Sequence, residues 1–251
     1  MQKIAILSDI HGNIPALEAV AADIRARQID EVFNLGDHAS GPLWPKETIQ
    51  FLMKQDWLQI RGNHDRLLVD QNPQQHGLSD GYAFQKLDQP ELDWLKALPA
   101  SLEVGQDFLL VHGSPTGDTT YLLETVEHGR ARLATRDEIL TRLGGTKPRI
   151  LLCGHTHISR LVELSENTML INPGSVGLPA YSDVVPEFHV MESGSPHARY
   201  AILELINGKW QMEQFAIPYD YRKAAKQAHR NNRPDWEIAL LTGYGNMEKK
   251  S

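Results

Sequence analysis

Five short apolar runs in this chain each end in side chains of metal-binding type, and that coincidence constrains the fold more than any other feature. The runs are Lys3–Leu7, Glu31–Leu35, Trp57–Ile60, Phe108–Val111 and Ile150–Leu152. They lead into Asp9-x-His11, Asp37, Asn63-His64, His112 and His155-x-His157. Short apolar runs bounded by turn residues read as buried strands. In open α/β sheets, ligands bind beyond the carboxyl ends of the strands. Five strand ends thus deliver eight polar side chains to one edge. The gaps are 26 residues from His11 to Asp37, 26 from Asp37 to Asn63, 48 from His64 to His112 and 43 from His112 to His155. A parallel crossover needs about a dozen residues or more, so every gap lets consecutive strand ends become neighbours.

The segments between the runs alternate in kind. Ile14–Arg27 reads as a helix, with Leu17, Val20, Ala21 and Ile24 at helical spacing and Pro15 in its first turn. Gly41-Pro42 and Pro45 mark a loop before a short helix over Glu47–Lys54. Residues 66–89 are polar and weakly periodic, and read as loop with short helices. Glu91–Leu98 and Asp137–Leu143 read as helices stopped by Pro99 and Gly144-Gly145. Leu161–Leu164 and Met169–Ile171 read as strands before the turn Asn172-Pro173-Gly174-Ser175. Asn207-Gly208 between Tyr200–Ile206 and Lys209–Ile217 is a strong hairpin signal. Tyr221–His229 and Asp235–Leu241 look helical. Strand–helix alternation early and strands late predict a mixed α/β (α+β) architecture. No repeat, linker or low-complexity segment breaks the chain, so one domain over 1–251 is expected.

Composition narrows the setting. A formal charge of −7 makes the chain a poor general binder of a nucleic acid backbone, and long nucleic acid is not the expected partner. Cys153 is the one cysteine, which excludes an intramolecular disulfide framework and fits a reducing compartment. The first apolar run is too short for a signal-peptide core, and nothing approaches a membrane span. A cytoplasmic location without membrane association is expected. Oligomeric state is not legible.

Two carboxylates, an amide oxygen and several imidazoles make a mixed oxygen and nitrogen donor set, which suits Mn, Fe, Ni or Zn. Seven candidate ligands (Asp9, His11, Asp37, Asn63, His112, His155 and His157) exceed the needs of one ion. Two ions about 3.5–4 Å apart, sharing one carboxylate, would use them fully and would lower the pKa of a bridging water. Each motif alone is weak, since Asp-x-His, Gly-Asp and a lone histidine after a strand are common turn chemistry. Gly-His-x-His is stronger, because alternate positions of an extended segment put both rings on one side. All five together, each closing an apolar run, point to a metal site.

The ordered set Asp9-Ile-His11, Gly36-Asp37, Gly62-Asn63-His64-Asp65, Val111-His112-Gly113 and Gly154-His155-Thr156-His157 resembles the calcineurin-like metallophosphoesterase superfamily. Ser8-Asp9-Ile-His11-Gly-Asn and Asn172-Pro173-Gly174-Ser175-Val176-Gly177 are similar to its small prokaryotic phosphodiesterase branch. The resemblance implies a four-layer αββα sandwich, two mixed β-sheets flanked by helices. It implies that Asp9, His11, Asp37 and His157 bind one metal. Asp37 then bridges to a second, completed by Asn63, His112 and His155. Manganese leads the candidates for these two divalent or trivalent ions. His64 would be the acid or phosphate binder, and many small phosphodiesterases of that branch carry Cys there. The implied reaction is hydrolysis of a small phosphate ester, most simply a diester, by attack of a metal-bridging hydroxide. Asp37 and His64 carry the catalytic roles, with Asn63, His64 and Arg61 toward substrate. The alternatives are a phosphomonoesterase or protein phosphatase with the same metals, and a metal-binding scaffold without turnover. Scaffolding relatives lose ligands and the active-site His, whereas every such position is filled here.

Outside the motifs, His38 is read as a lining residue, Asp65 as a ring-orienting acceptor, and Ser175 and Tyr181 as residues approaching substrate. Cys153 reads as a buried structural thiol, and Trp94 and Trp236 as core packing. His76, His128, His189, His197 and His229 read as surface or capping residues, and Lys249-Lys250 as a disordered tail.

Overall fold

The computed structural model describes residues 2–165 and 168–245. Lys249 and Lys250 lie outside them. In chain order the elements are β1 (Lys3–Leu7), α1 (Ile14–Ala26), β2 (Glu31–Asn34), α2 (Pro45–Leu52), β3 (Leu58–Gln59) and α3 (Asn63–Asp70). Next come α4 (Leu78–Lys86), α5 (Gln89–Ala97), β4 (Ser101–Val104), β5 (Phe108–Val111), β6 (Glu124–Glu127), β7 (Arg130–Leu133), α6 (Arg136–Arg142) and β8 (Ile150–Leu152). The remainder are β9 (Arg160–Ser165), β10 (Thr168–Asn172), β11 (Ala180–Asp183), β12 (His189–Glu192), β13 (Ala198–Ile206), β14 (Lys209–Ile217), α7 (Tyr221–Arg230) and α8 (Pro234–Thr242).

One five-stranded sheet runs β14-β13-β1-β2-β3, and a second runs β4-β5-β8-β10-β9. In the first, β1, β2 and β3 are parallel. In the second, β5, β8 and β10 are parallel. The alternation of β1 divides its side chains between two cores, as a period of two requires. Ile4 and Ile6, with Phe33 and Ile60, meet Phe108, Leu110, Ile150 and Leu152 of the second sheet. Ala5 and Leu7 point the other way, onto Leu17, Val20 and Ile24 of α1. On the far side, Leu151 and Cys153 pack with Ile139 of α6. The order is helix, sheet, sheet, helix, so the expected αββα layering is present. Cys153 is buried, as expected of a structural thiol.

A third sheet, β11-β12-β7-β6, was not anticipated. Its strands are short and largely polar, so alternation hardly distinguishes them from loops. His128 and Gly129, at φ 54° and 75°, turn β6 into β7, and paired positive φ values are what a tight hairpin needs. His128 is therefore a turn residue. Helix α3 begins at Asn63, inside the Asn-His-Asp motif, where the sequence pattern placed a strand end and loop. Its first turn carries no apolar periodicity. It is set instead by Asp65, whose Oδ2 accepts the Gly62 N–H at 2.9 Å. Helices α7 and α8 bury Ala224, Ala225, Ala228, Trp236 and Leu240 against Leu43, Leu178 and Ala180.

Ile6 lies fully buried between the two large sheets, where little can collapse into a void. Ile6→Ala should lower unfolding free energy by about 2–5 kcal/mol in urea titration, with the m-value unchanged.

Candidate metal centre

The carboxyl ends of β1, β2, β3, β5 and β8 meet at one edge of the stacked sheets, and their loops interlock. Asp9 N–H donates to Gly36 O at 3.0 Å, and Ile10 and His11 N–H both donate to Asp37 O at 2.9 Å. Gly154 N–H donates to His112 O at 2.7 Å, tying β8 to β5. Asp9, His11, Asp37, His155 and His157 all hold left-handed backbone, with φ between 53° and 67°. Such conformations are uncommon for non-glycine residues and gather at functional sites. The loops also come too close for side chains at several positions. A Cβ on Gly62 would lie 2.1 Å from Asp37 Oδ1, and one on Gly154 would lie 1.9 Å from Ser8 Oγ.

Two groups of donors result. Asp9, His11 and His157 offer one ligand atom each within 4.8 Å of one another, and so do Asp37, His112 and His155. Three of the rings are oriented from behind. His11 Nδ1 donates to Ser40 O at 2.8 Å, His112 Nδ1 to Leu35 O at 2.8 Å and His157 Nδ1 to Leu178 O at 2.7 Å. In its neutral form each then has only a lone pair at Nε2. Yet His11 Nε2 faces His157 Nε2 at 3.1 Å. His112 Nε2 faces Asn63 Oδ1 at 3.0 Å and Asp37 Oδ2 at 3.2 Å, again acceptors. Such contacts are relieved by a proton or by a metal ion, and imidazole, carboxylate and amide donors grouped this way fit metal ions.

The electrostatics agree. Burial alone would raise the Asp9 carboxyl, but His157 and His112 hold it down at about 2. Asp37 is likewise held well below the usual range by His112, His64 and His11, against its burial. Its Oδ1 also accepts the His64 N–H at 2.9 Å from the first turn of α3, where the helix dipole favours an anion. Burial pushes His11 and His155 down to about 4, so both are neutral donors. Burial also disfavours the charged His112, but Asp37 and Asp9 outweigh it and raise the ring to about 10.

His64 stands beside the two groups. Its Nδ1 bonds Asp80 Oδ1 at 2.8 Å, and Ser40 Oγ donates to the same oxygen at 2.6 Å. Burial would lower the His64 ring, but Asp37 and Asp80 raise it to about 9. Both donor groups open onto a cavity of about 760 Å³. His11, Asp37, Asn63, His64, His155 and His157 line its floor. Tyr121, Thr125, Val126 and Tyr181 form one flank, and Arg233, Trp236 and Ala239 of the C-terminal segment another.

The family model for the calcineurin-like phosphoesterase superfamily domain matches residues 2–195. The chain belongs to that superfamily. It is a metallophosphoesterase, a hydrolase of phosphoric ester bonds. An uncharacterized protein of Methanocaldococcus jannaschii is 25% identical over 248 residues, covering 93% of this chain and 94% of that protein. A crystal structure of a metallophosphoesterase from Sphaerobacter thermophilus shares the fold at 23% identity and a TM-score of 0.74, covering 96% of this chain and 99% of its own. So does a hypothetical protein from Pyrococcus horikoshii OT3, at 18% identity and a TM-score of 0.77, covering 98% and 100%. These likenesses extend over helices α7 and α8, which lie beyond the family match.

Within this phosphoesterase, all seven expected ligands and His64 converge. Several other expectations need correction. Arg61 is not among the cavity-lining residues; its Nη1 pairs with Asp70 at 3.5 Å. His38 does not line the cleft either. It is fully buried, with Nδ1 on Asp65 Oδ2 at 2.7 Å and its ring edge-on to Trp94. Asp65 does orient a ring, but that ring is His38, and it also accepts Asp37 N–H at 2.8 Å. Ser175 buttresses the site from below, donating to Asp9 O at 2.7 Å. Tyr181 lines the cavity as expected, its ring 4.7 Å from that of His157. His189 is no surface residue. It is fully buried, with Nε2 3.1 Å from the Tyr121 hydroxyl. Trp236 is core and cavity wall at once, edge-on to His11 at 6.0 Å. These tyrosines and the tryptophan carry no spacing signal, because a loop, the third sheet and α8 bring Tyr121, Tyr181 and Trp236 here.

Two outcomes follow. Gly62→Ala should displace the Asp37 carboxylate, lowering metal content by elemental analysis and stability by about 1–3 kcal/mol. With His112 raised to about 10, the metal-free ring is protonated at neutral pH and must lose that proton to become a ligand. Metal loading at pH 7 should therefore release protons, and calorimetry in buffers of different ionisation enthalpy measures how many.

Proposed function

We propose that this phosphoesterase hydrolyses small phosphodiesters with two metal ions bound side by side. Asp9, His11 and His157 would hold one ion, and His112, His155 and Asn63 the other, with Asp37 reaching both. The observation that carries this reading is the pair of donor groups, with His64, on the floor of one cavity. Bound ions would supply Lewis-acid charge for the phosphoryl oxygens and a water acidic enough to yield hydroxide near neutral pH.

The remaining work falls to the chain. Asp80 and Ser40 fix the His64 ring, and the Asp80 carboxylate at 2.8 Å favours its protonated form. A protonated ring at the cavity floor can deliver its proton to the leaving oxygen. Tyr181 and Trp236 pack against His157 and His11 and keep water from those rings. Walls on two sides leave room for both arms of a diester, which favours diesters over monoesters. A cavity so walled, on a chain of charge −7, does not suit a long polyanion. Manganese is the proposed resident ion, because oxygen and imidazole donors without a thiolate suit it. The lone buried cysteine fits a cytoplasmic setting. Among the described residues no helix is long and apolar enough to cross a membrane.

The test is to strip the protein of metal, reload it with Mn, Fe, Ni or Zn, and assay bis(4-nitrophenyl) phosphate against 4-nitrophenyl phosphate. Turnover should require metal and favour the diester; no turnover with any metal would return the reading to a scaffold. His64→Asn should retain both ions but lose about 10²–10⁴-fold in kcat. Asp37→Ala should lose more, together with bound metal.

A further inference from the structure

The cavity lining extends past the metal floor. It includes Thr119, Thr120, Thr125 and Arg142, at and beside the first strand of the third sheet. Arg142 ends α6, and its guanidinium is fixed by three acceptors. Nη1 donates to Leu122 O at 3.3 Å and Glu124 O at 2.9 Å, and Nη2 to Thr125 Oγ1 at 2.7 Å. None of these is charged, and among the described residues no carboxylate forms an ion pair with it. The nearby acids are engaged elsewhere. Glu138 is held by Arg132 at 3.0 Å, and Glu124 by Arg160 at 3.0 Å. Asp183 accepts the amide of Val185 at 3.2 Å. Arg233, on the opposite wall, differs in having Asp235 at 2.9 Å.

A half-buried cation held rigid by neutral groups has its position set and its charge unbalanced. Guanidinium donors not spent on those acceptors can meet an anion in fork geometry. Glu124 does not pair with it, being held by Arg160. We propose that Arg142 is a specificity-determining residue that binds a second anionic group of the substrate, remote from the ester that is cleaved. The substrate class is then a phosphate ester carrying a further phosphoryl or carboxylate group. This rests on the phosphoesterase reading of the metal floor and narrows it.

The experiment uses a molecular ruler. Metal-loaded protein is titrated calorimetrically with α,ω-alkylene diphosphonates of increasing chain length, each against the matched alkyl monophosphonate. One length should bind at least about tenfold more tightly than its monophosphonate. Arg142→Gln should abolish that gain, and Arg142→Lys should lose most of it, since an ammonium cannot present the fork. Should Arg142→Gln not fold, the wild-type comparison and Arg142→Lys still decide. No gain at any length, or a gain that survives Arg142→Gln, overturns the role of Arg142 while leaving the metal centre standing. Absence of metal-dependent monophosphonate binding overturns the metal-floor reading and this proposal with it.

Discussion

His11 and His157 meet through ring nitrogens 3.1 Å apart, and each has already given its only N–H to a backbone carbonyl. Two lone pairs at that distance repel, and the carboxylate of Asp9, 3.4 Å from His157 Nε2, adds a full negative charge. His112 faces oxygens of Asn63, Asp37 and Asp9, and in the metal-free chain a ring proton meets them where a metal would take its place. Buried charges and lone pairs are tolerated only when paired or bound to metal. The surrounding structure serves this arrangement. Backbone carbonyls choose the tautomers, the first turn of α3 faces Asp37, and glycines let the loops close to within van der Waals contact.

Loops with so many left-handed residues cannot support themselves. Each unusual backbone conformation costs on the order of 1–3 kcal/mol unless surrounding bonds over-determine it, less for Asp and His than for bulkier residues. Here the loops fasten to one another within each sheet, through Asp9 to Gly36, Gly12 to His38 and Gly154 to His112, and between the sheets through Gly177 to Asp9. Those bonds hold their register only because the strands beneath do not slip. Ile4, Ile6, Phe33, Leu110 and Leu152 fix that register, since a one-residue shift would send each of them to the wrong face. The apolar layer between the sheets is thus the remote support of the donor geometry.

This division explains what the sequence made legible. Strands buried on both faces read as apolar runs, and their ends display the ligands, so β1, β2, β5 and β8 and all seven donors are visible without coordinates. The layers follow from the same runs. Residues 66–89 are harder, because α3 and α4 bury few apolar residues, Leu68 and Ala83 among them, and are fixed also by long-range bonds of Asp65 and Asp80. The third sheet is harder still. Its strands are short and exposed on one side, and the signal that defines β6–β7 is only the His128-Gly129 turn. Arg61 illustrates a different limit: proximity in sequence to Asn63 placed it near the site, but the start of α3 separates them and Asp70 takes its charge.

Specificity follows the same line of separation. The floor is built by the most strongly patterned part of the chain, and the walls by the least. Tyr121, Tyr181, Arg142 and Trp236 reach the cavity from a loop, the third sheet, α6 and α8, elements that make no contribution to the donor set. Their surroundings can change without moving a metal ligand, because no donor ring depends on them for its tautomer. Trp236 is the exception that shows the limit of this freedom. It fills the space opposite Gly41, where a Cβ would lie 2.6 Å from the indole and 2.6 Å from His11 O. Helix α8 is thereby braced against the loop that carries His11, and the wall on that side is part of the support of the floor.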